Sequence, residues 1–259
     1  MITKTDAIVL RSMRYRDTSK IVTFYTRRYG KVNGIAKGAR DLKSKFGAAL
    51  EPMSLVSLVM YKKENRDLHL ISHCDLVEQF KSVGEDMEKM TVGMSVIELL
   101  NQVTHDEEEN AVLFDLLRHT FEALELAEHN VMNLFFAFQI RLGAIHGFAL
   151  SIDTCLICGR AVETLTDSNA VSFSFTKGGV LCNECQQTHR PDAFSRTLSI
   201  ASLRALQRFQ RAPLDSLRTI HLDTRVGNEV DETLRSYLRY HFEGLRPLKS
   251  LEIFHRIKV

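Results

Sequence analysis

The sequence predicts an α+β, multidomain fold: a small closed β-barrel at the N terminus, then a helical domain carrying a four-cysteine insertion. Three observations predict it. The first 81 residues hold five short runs rich in β-branched and aromatic residues, each bounded by Gly, Pro, Asp or Asn. From about Glu85 the apolar residues recur with a helical period instead. Two Cys-x-x-Cys pairs then stand 23 residues apart in an irregular stretch.

The strands are assigned to Ala7–Leu10, Ile21–Thr26, Lys31–Ala36, Leu55–Tyr61 and Leu68–Ser72. Gly30 marks the turn before the third, and the polar segment Lys62–Asp67 the turn before the fifth. Five short strands in so few residues fit an SH3-like barrel or an OB-fold, and composition does not choose between them. Cys74, alone among apolar strand residues, is expected to be a core thiol.

The helical domain follows. Val92, Val96, Leu99, Leu100 and Val103 share one face; Phe114, Leu117, Phe121 and Leu124 share a second; Val131, Leu134, Phe135, Phe138, Leu142 and Ile145 share a third. Helical patterns resume over 202–211 and 228–242, punctuated by Pro213 and Pro247. The acidic run Asp106–Glu109 is expected to be a solvated loop whose charges favour the next helix N terminus, rather than a metal or docking site. The expected domains are 1–81 and 82–259, with a metal-binding subdomain at about 151–192.

Cys155, Cys158, Cys182 and Cys185 have the spacing of a four-thiolate zinc site. Two residues between cysteines let a tight turn aim both sulfurs at one ion. Gly159 and Gly178–Gly179 supply backbone freedom beside the pairs. Four sulfurs fill the tetrahedron and leave no water to activate, so the expected zinc ion, one per chain, is structural. A thioredoxin-like dithiol needs only one such pair; His189 is a spare ligand that four cysteines make unnecessary. Val171–Phe175 alternates apolar and polar residues and is expected to form a hairpin or ribbon between the two knuckles.

The net charge of +2 conceals a strong asymmetry. Residues 1–81 carry +8, residues 82–150 carry −9 and residues 151–259 carry +3. A basic block of this kind points to nucleic acid or another anionic partner. No apolar run reaches the roughly 18 residues of a membrane span, and Met1–Asp6 lacks the pattern of a secretion signal. The expected setting is the cytoplasm, with no membrane contact and reduced thiols.

Within residues 1–45, twelve Lys+Arg face only three acids. Arg11, Arg14, Arg16 and Lys20 form one group, and Lys37, Arg40, Lys43 and Lys45, with Lys31, a second interspersed with glycines. Tyr15, Phe24, Tyr25, Tyr29 and Phe46 are near enough in sequence to offer aromatic faces, although Phe24 and one neighbouring tyrosine are expected in the core. Cations for phosphates and rings for bases are the ingredients of a single-strand-binding groove. Gly30–Gly38 does not match the phosphate-cradling GxxxxGK[ST] pattern, so no nucleoside triphosphate site is expected.

An ordered set of segments resembles the bacterial recombination mediator family RecO. It comprises Tyr15–Thr23, Tyr29–Val32, Lys37–Arg40 and Leu50–Pro52, then Arg141–Gly143 with Gly147, Cys155–Gly159, Gly178–Cys182 and Leu248–Ser250. The resemblance implies an N-terminal OB-fold, a helical C-terminal domain and a zinc-bearing insertion. It also implies binding to single- and double-stranded DNA, annealing of complementary strands, and action with RecR to load RecA onto strands coated by single-strand-binding protein. The family's DNA-binding role falls on Arg11, Arg14, Arg16, Lys20, Lys37, Arg40, Lys43 and Lys45 as the matching basic positions. A pocket for the acidic tail of single-strand-binding protein is expected on the helical domain, with Arg141, Arg204 and Arg208 as candidate rim residues.

The expected function is therefore that of a non-enzymatic annealing and mediator protein, located with the nucleoid. Annealing requires neutralised phosphates and free bases but no nucleophile. The competing readings are a DNA-processing enzyme and a zinc-ribbon transcription factor specific for one duplex site.

Overall fold

The computed structural model describes residues 1–63, 66–162, 170–188 and 193–257. The N-terminal strands are β1 (Ile2–Tyr15), β2 (Ser19–Thr26), β3 (Gly30–Ala36), β4 (Ser54–Tyr61) and β5 (Leu68–Gln79). All five expected strands are present. β1 is much longer than its apolar stretch because it serves two neighbours. Residues 2–8 pair with β4, and residues 7–15 pair with β2 after a bulge between Val9 and Arg11. That shared strand closes the sheet into a barrel of order β1-β2-β3-β5-β4, with β3 and β5 parallel. This is the order of an OB-fold, which decides between the two candidate barrels. A parallel pair needs a crossover, here the segment that leads through β4; its first part, residues 37–53, includes a 3-10 turn at Gly47–Leu50.

Alternate residues fill the barrel. Val9, Val22, Phe24, Val32, Val56, Leu58, Met60 and Ile71 point inward and are buried. Phe46 and Leu50 of the crossover plug one end. Cys74 is the expected core thiol, and burial pushes it up to about 12.

The chain forms two compact units. The first comprises residues 1–126 with 248–259, so it joins to the barrel the helices α1 (Lys81–Glu85), α2 (Met87–Val103), α3 (Ala111–Leu126) and α9 (Lys249–Ile257). Asp86 caps α2 by accepting from the Lys89 amide at 2.9 Å. Glu125 of α3 takes the amides of Ser82 and Val83 at the start of α1, at 3.0 and 3.1 Å. Glu98 of α2 does the same for α9, accepting from the Lys249 and Ser250 amides at 3.0 and 3.2 Å.

The acidic run is exposed, as expected, but its charges do not serve the next helix N terminus. Asn110, not an acid, caps α3 through the Leu113 amide. Asp106 instead pairs with Lys31 at 3.3 Å, and Glu107 joins Lys62 at 2.5 Å and His69 at 2.7 Å. The Glu107 amide also donates to the Lys31 carbonyl. Two of the four acids in this loop thus pair with barrel side chains while the loop stays exposed. Gly30 makes the approach possible: its φ is +58°, and a Cβ there would stand 1.9 Å from the Glu108 carbonyl oxygen.

The second unit, residues 127–247, is built on α4 (Met132–Ile145). Residues 133–140 of α4 are all buried, as expected of a helix that is apolar on every side. Around it lie α5 (Asn183–Thr188), α6 (Ile200–Arg211), α7 (Leu214–Leu217) and α8 (Thr224–His241). A three-stranded sheet of order β7 (Gly179–Leu181), β6 (Ala170–Ser174), β8 (Ser195–Ser199) completes it. The expected ribbon at 171–175 is the central strand β6. Ser199 and Asp223 cap α6 and α8.

Candidate nucleic-acid interface and metal centre

Where the β3–β4 connection meets β1 and β2, the barrel carries a groove of about 680 Å³ lined by Ser12, Arg14, Lys20, Ala39, Arg40, Asp41, Leu42, Ser44, Gly47 and Glu51. Strand register builds its floor: Arg14 of β1 stands opposite Lys20 of β2. Like charges directly opposed on neighbouring strands are destabilising. Here Glu51 relieves Lys20 through a 2.9 Å contact, and an anion in the groove would relieve Arg14 as well.

The other predicted cations divide by what they hold. Arg40 donates to the carbonyls of Arg16 and Asp17 at 3.1 and 2.9 Å, tying the crossover to the β1–β2 turn. Lys45 donates to the Ser72 carbonyl at 2.6 Å and lies over the Phe46 ring. Arg16, at φ +51°, packs over Tyr15. The side chains of Arg11, Arg14, Lys37 and Lys43 are exposed and have no ion-pair partner among the described residues. The structure thus brings Arg14, Lys20 and Arg40 into one groove and sets Lys37 and Lys43 on the crossover beside it. Arg11 lies on the outer wall.

Phe24 and Tyr25 are buried, as expected of Phe24 and one neighbouring tyrosine. Phe46 departs from the expectation, since it is buried with Phe24 in the barrel core. Tyr29 is half-buried and bonded to Thr3. Tyr15 alone of the five stands beside the cations with a partly open ring. Sequence reasoning missed Ser12, Ser44 and the fully exposed Leu42 of the groove. An apolar residue inside a run of cations was the available signal for Leu42.

Arg141 of α4, half-buried, donates to the carbonyls of Phe209 and Ala212 at the end of α6, and burial lowers its pKa. Those carbonyls have no intrahelical partner, so Arg141 closes the helix. Arg204 and Arg208 lie one turn apart on the exposed face of α6.

The four predicted cysteines converge: their sulfurs lie within 4.8 Å of one another. The first knuckle turns through the Gly159 amide bonded to the Cys155 carbonyl, and the Leu156 amide fastens it to Val180 of β7. Cys182 ends β7, and Cys185 sits in α5. Cys158 and Cys182 sulfurs are 3.8 Å apart. Tetrahedral ligands at a zinc–sulfur distance of about 2.3 Å are separated by about 3.8 Å, so the donor set fits such an ion. Burial opposes ionisation of Cys155, but amides of Cys158, Cys182 and Ile157 pull its thiol down to about 6. The Cys182 thiol, with the other sulfurs and burial, drives Cys185 up to about 12. Four sulfurs so close could hold a metal ion. Gly178, at φ +61°, leaves room for the Tyr237 hydroxyl that a Cβ would meet at 2.7 Å. His189 and the end of the expected 151–192 subdomain lie outside the described residues.

Comparison with known proteins agrees with this architecture. The family model for the N-terminal part of recombination protein O matches residues 1–80, and that for the C-terminal part matches residues 84–252. These matches meet at the change of hydrophobic period, whereas the compact units divide after Leu126. A DNA repair protein RecO of Chloroherpeton thalassium is 31% identical over 258 residues, covering 99% of both chains. One from Prosthecochloris aestuarii is 32% identical over all of this chain and 98% of the relative. One from Salinibacter ruber is 34% identical over 99% of this chain and 95% of the relative. With both family models and full-length relatives in agreement, the chain belongs to the RecO family.

Proposed function

We propose that this protein is a DNA repair and recombination mediator that binds single- and double-stranded DNA and anneals complementary strands without enzymatic chemistry. The observation that carries the reading is the barrel groove, where Arg14 opposes Lys20 and Lys37 and Lys43 stand free beside it. Phosphates replace the missing counter-charges there. Neutralised strands repel one another less, and bases that are not clamped remain available for pairing. The scarcity of open rings favours backbone contact over base stacking. In the cell the protein would act with RecR to load RecA onto strands covered by single-strand-binding protein, in the cytoplasm at the nucleoid.

The four cysteines would hold one structural zinc ion, whose chemistry is to join the two knuckles. Arg204 and Arg208 would contact the acidic tail of single-strand-binding protein. Arg141, committed to helix carbonyls, would support that face from below.

The test is annealing of labelled complementary oligonucleotides without Mg²⁺ or ATP. Acceleration by the protein, retained on strands coated with intact single-strand-binding protein and lost when that protein lacks its tail, is the expected result. Mg²⁺-dependent cleavage would instead establish an enzyme. Tight binding to a single duplex sequence would establish a transcription factor.

A further inference from the structure

The outer wall of the barrel carries an apolar row that DNA binding does not use. Met13 of β1 stands opposite Ile21 of β2, Ile21 opposite Ile35 of β3, and Ile35 opposite Leu70 of β5. Leu70 stands opposite Tyr61 of β4, and Tyr61 opposite Ile2 at the start of β1. Every strand contributes, and every residue points outward, because its neighbours Val22, Ala36, His69, Ile71, Met60 and Thr3 are buried. Ile2, Tyr61 and Leu70 are 62%, 41% and 37% exposed, and Leu68 beside them is 38% exposed. Outward positions on a half-buried sheet are ordinarily polar, and contiguous exposed apolar patches mark interaction sites. None of these residues lines the cationic groove.

The flanks of the row define its partner. Two residues along from Met13, Ile35, Tyr61 and Ile2 stand Arg11, Lys37, Lys63 and Lys4, all exposed and without an ion-pair partner among the described residues. The other flanking positions are Tyr15, Ser19, Thr23, Asn33, Leu68, Ser72 and Val59, so none is acidic. Asp106, which reaches Asn33, is engaged by Lys31, and Glu107 is engaged by Lys62 and His69, the chain neighbours of Tyr61 and Leu70. Along this row Ile21, Ile35, Leu70 and Tyr61 are each paired with a strand on both sides, so a partner there binds through side chains. Five of the six side chains are aliphatic, which suits apolar side chains better than the π-faces of bases. The row runs around a closed barrel, so a straight helix meets only adjacent strands. Strands about 4.8 Å apart and a helical turn of about 5.4 Å match successive apolar side chains to Ile35, Leu70 and Tyr61 on β3, β5 and β4.

We propose that the outer wall around Ile35, Leu70, Tyr61 and Ile2 is a docking surface for an acidic amphipathic helix of a partner protein. The apolar residues of this surface lie outside the groove, although Lys37 flanks both, and the proposal does not depend on the DNA reading. The probe is a labelled synthetic peptide of roughly 18 residues, with Leu at i, i+3, i+4 and i+7 and Glu elsewhere. A second peptide has the same composition with its leucines dispersed around the helix, and an oligothymidylate serves as the third ligand. The full-length protein should bind the patterned peptide saturably in anisotropy titrations and the dispersed one at least about tenfold more weakly. Leu70→Ser with Tyr61→Ser, and separately Lys4→Glu with Lys63→Glu, should each weaken the patterned peptide by about tenfold or more. The serine pair should leave oligothymidylate affinity within about twofold. If the serine pair lowers the melting temperature, Ile35→Thr, which keeps a β-branched residue on the strand, is read by the same criteria. Equal binding of the two peptides, no binding of either, or unchanged affinity in these variants would overturn the proposal. So would a loss of oligothymidylate binding in the serine pair, which would make the wall a nucleic-acid face.

Discussion

Arg40 and Lys43 are three residues apart in sequence, yet they hold different things. Arg40 secures two turn carbonyls, whereas Lys43 is exposed and unpaired among the described residues. Reversing Lys37 and Lys43 to Glu should weaken single-strand binding and reduce the salt dependence by about 0.7 per lost phosphate contact, with thermal stability unchanged. Arg40→Glu should also cost about 1 kcal/mol of stability, because its hydrogen bonds to carbonyls go with it. Binding titrations at several salt concentrations, paired with melts, separate the two. Glu107 allows a pH test. The hydrogen bond from Lys62 holds its carboxyl below the ordinary value of 4.5; burial opposes this, and His69 adds to it. A carboxyl with a lowered folded pKa stabilises the protein above its unfolded pKa and loses that contribution as pH falls through the folded one. Glu107→Gln should therefore cost about 0.5–1 kcal/mol at neutral pH, the scale of a partly exposed pair. In urea melts the gap to the unsubstituted protein should close below the ordinary carboxylate range. A gap that persists at low pH would assign the effect to packing.

The short elements depend on carboxylates borrowed from longer ones. The C-terminal helix α9 begins on the Glu98 side chain, which also accepts from the Ser250 hydroxyl at 2.9 Å. Its terminal amides have no partner of their own, and nine residues are too few for a helix to persist alone in water. Glu98→Ala should release α9 at a cost of about 1–2 kcal/mol, seen as faster amide exchange over 249–257 with the barrel amides still protected. Gly30 governs the neighbouring contact. Gly30→Ala meets both a positive φ and the Glu108 carbonyl, so it should cost on the order of 2–4 kcal/mol and free the acidic loop. Helices α2, α3, α4, α6 and α8 were legible from period alone because each buries a long continuous face. α1, α7 and α9 were not, because a helix of one to two turns shows too few repeats to define a period, and its ends are satisfied by residues remote in sequence.

At the scale of the molecule, the metal centre and the barrel lie in different compact units. Chelation, or Cys155→Ser, should loosen residues 151–188 and leave the barrel strands protected from exchange. Metal analysis should return about one zinc per chain. Loss of protection throughout the chain would mean that the zinc supports both units. The cysteine ligands were readable without a structure, since the chemistry of four thiolates is written in their spacing. Phe46 was misjudged as an open ring because it lies on a connection, where no strand alternation says which side chain turns inward. The pairing of Asp106 and Glu107 was not legible because their partners Lys31, Lys62 and His69 are brought together only by the barrel's closure.

Sequence by itself determined the local order of this protein: five strands before the helices, a positive first block, one four-sulfur centre and the family to which these belong. Each depends on periodicity, composition or spacing, which are short-range properties of the chain. Tertiary structure alone decided which cations are free. Arg14 and Lys20 became opposed, Arg40 and Arg141 were drawn to carbonyls, and Lys31 and Lys62 were neutralised by a loop more than 40 residues away in sequence. The physical reason is that a charge acts through its surroundings in space. Strand register and barrel closure set those surroundings, and no count along the chain contains them.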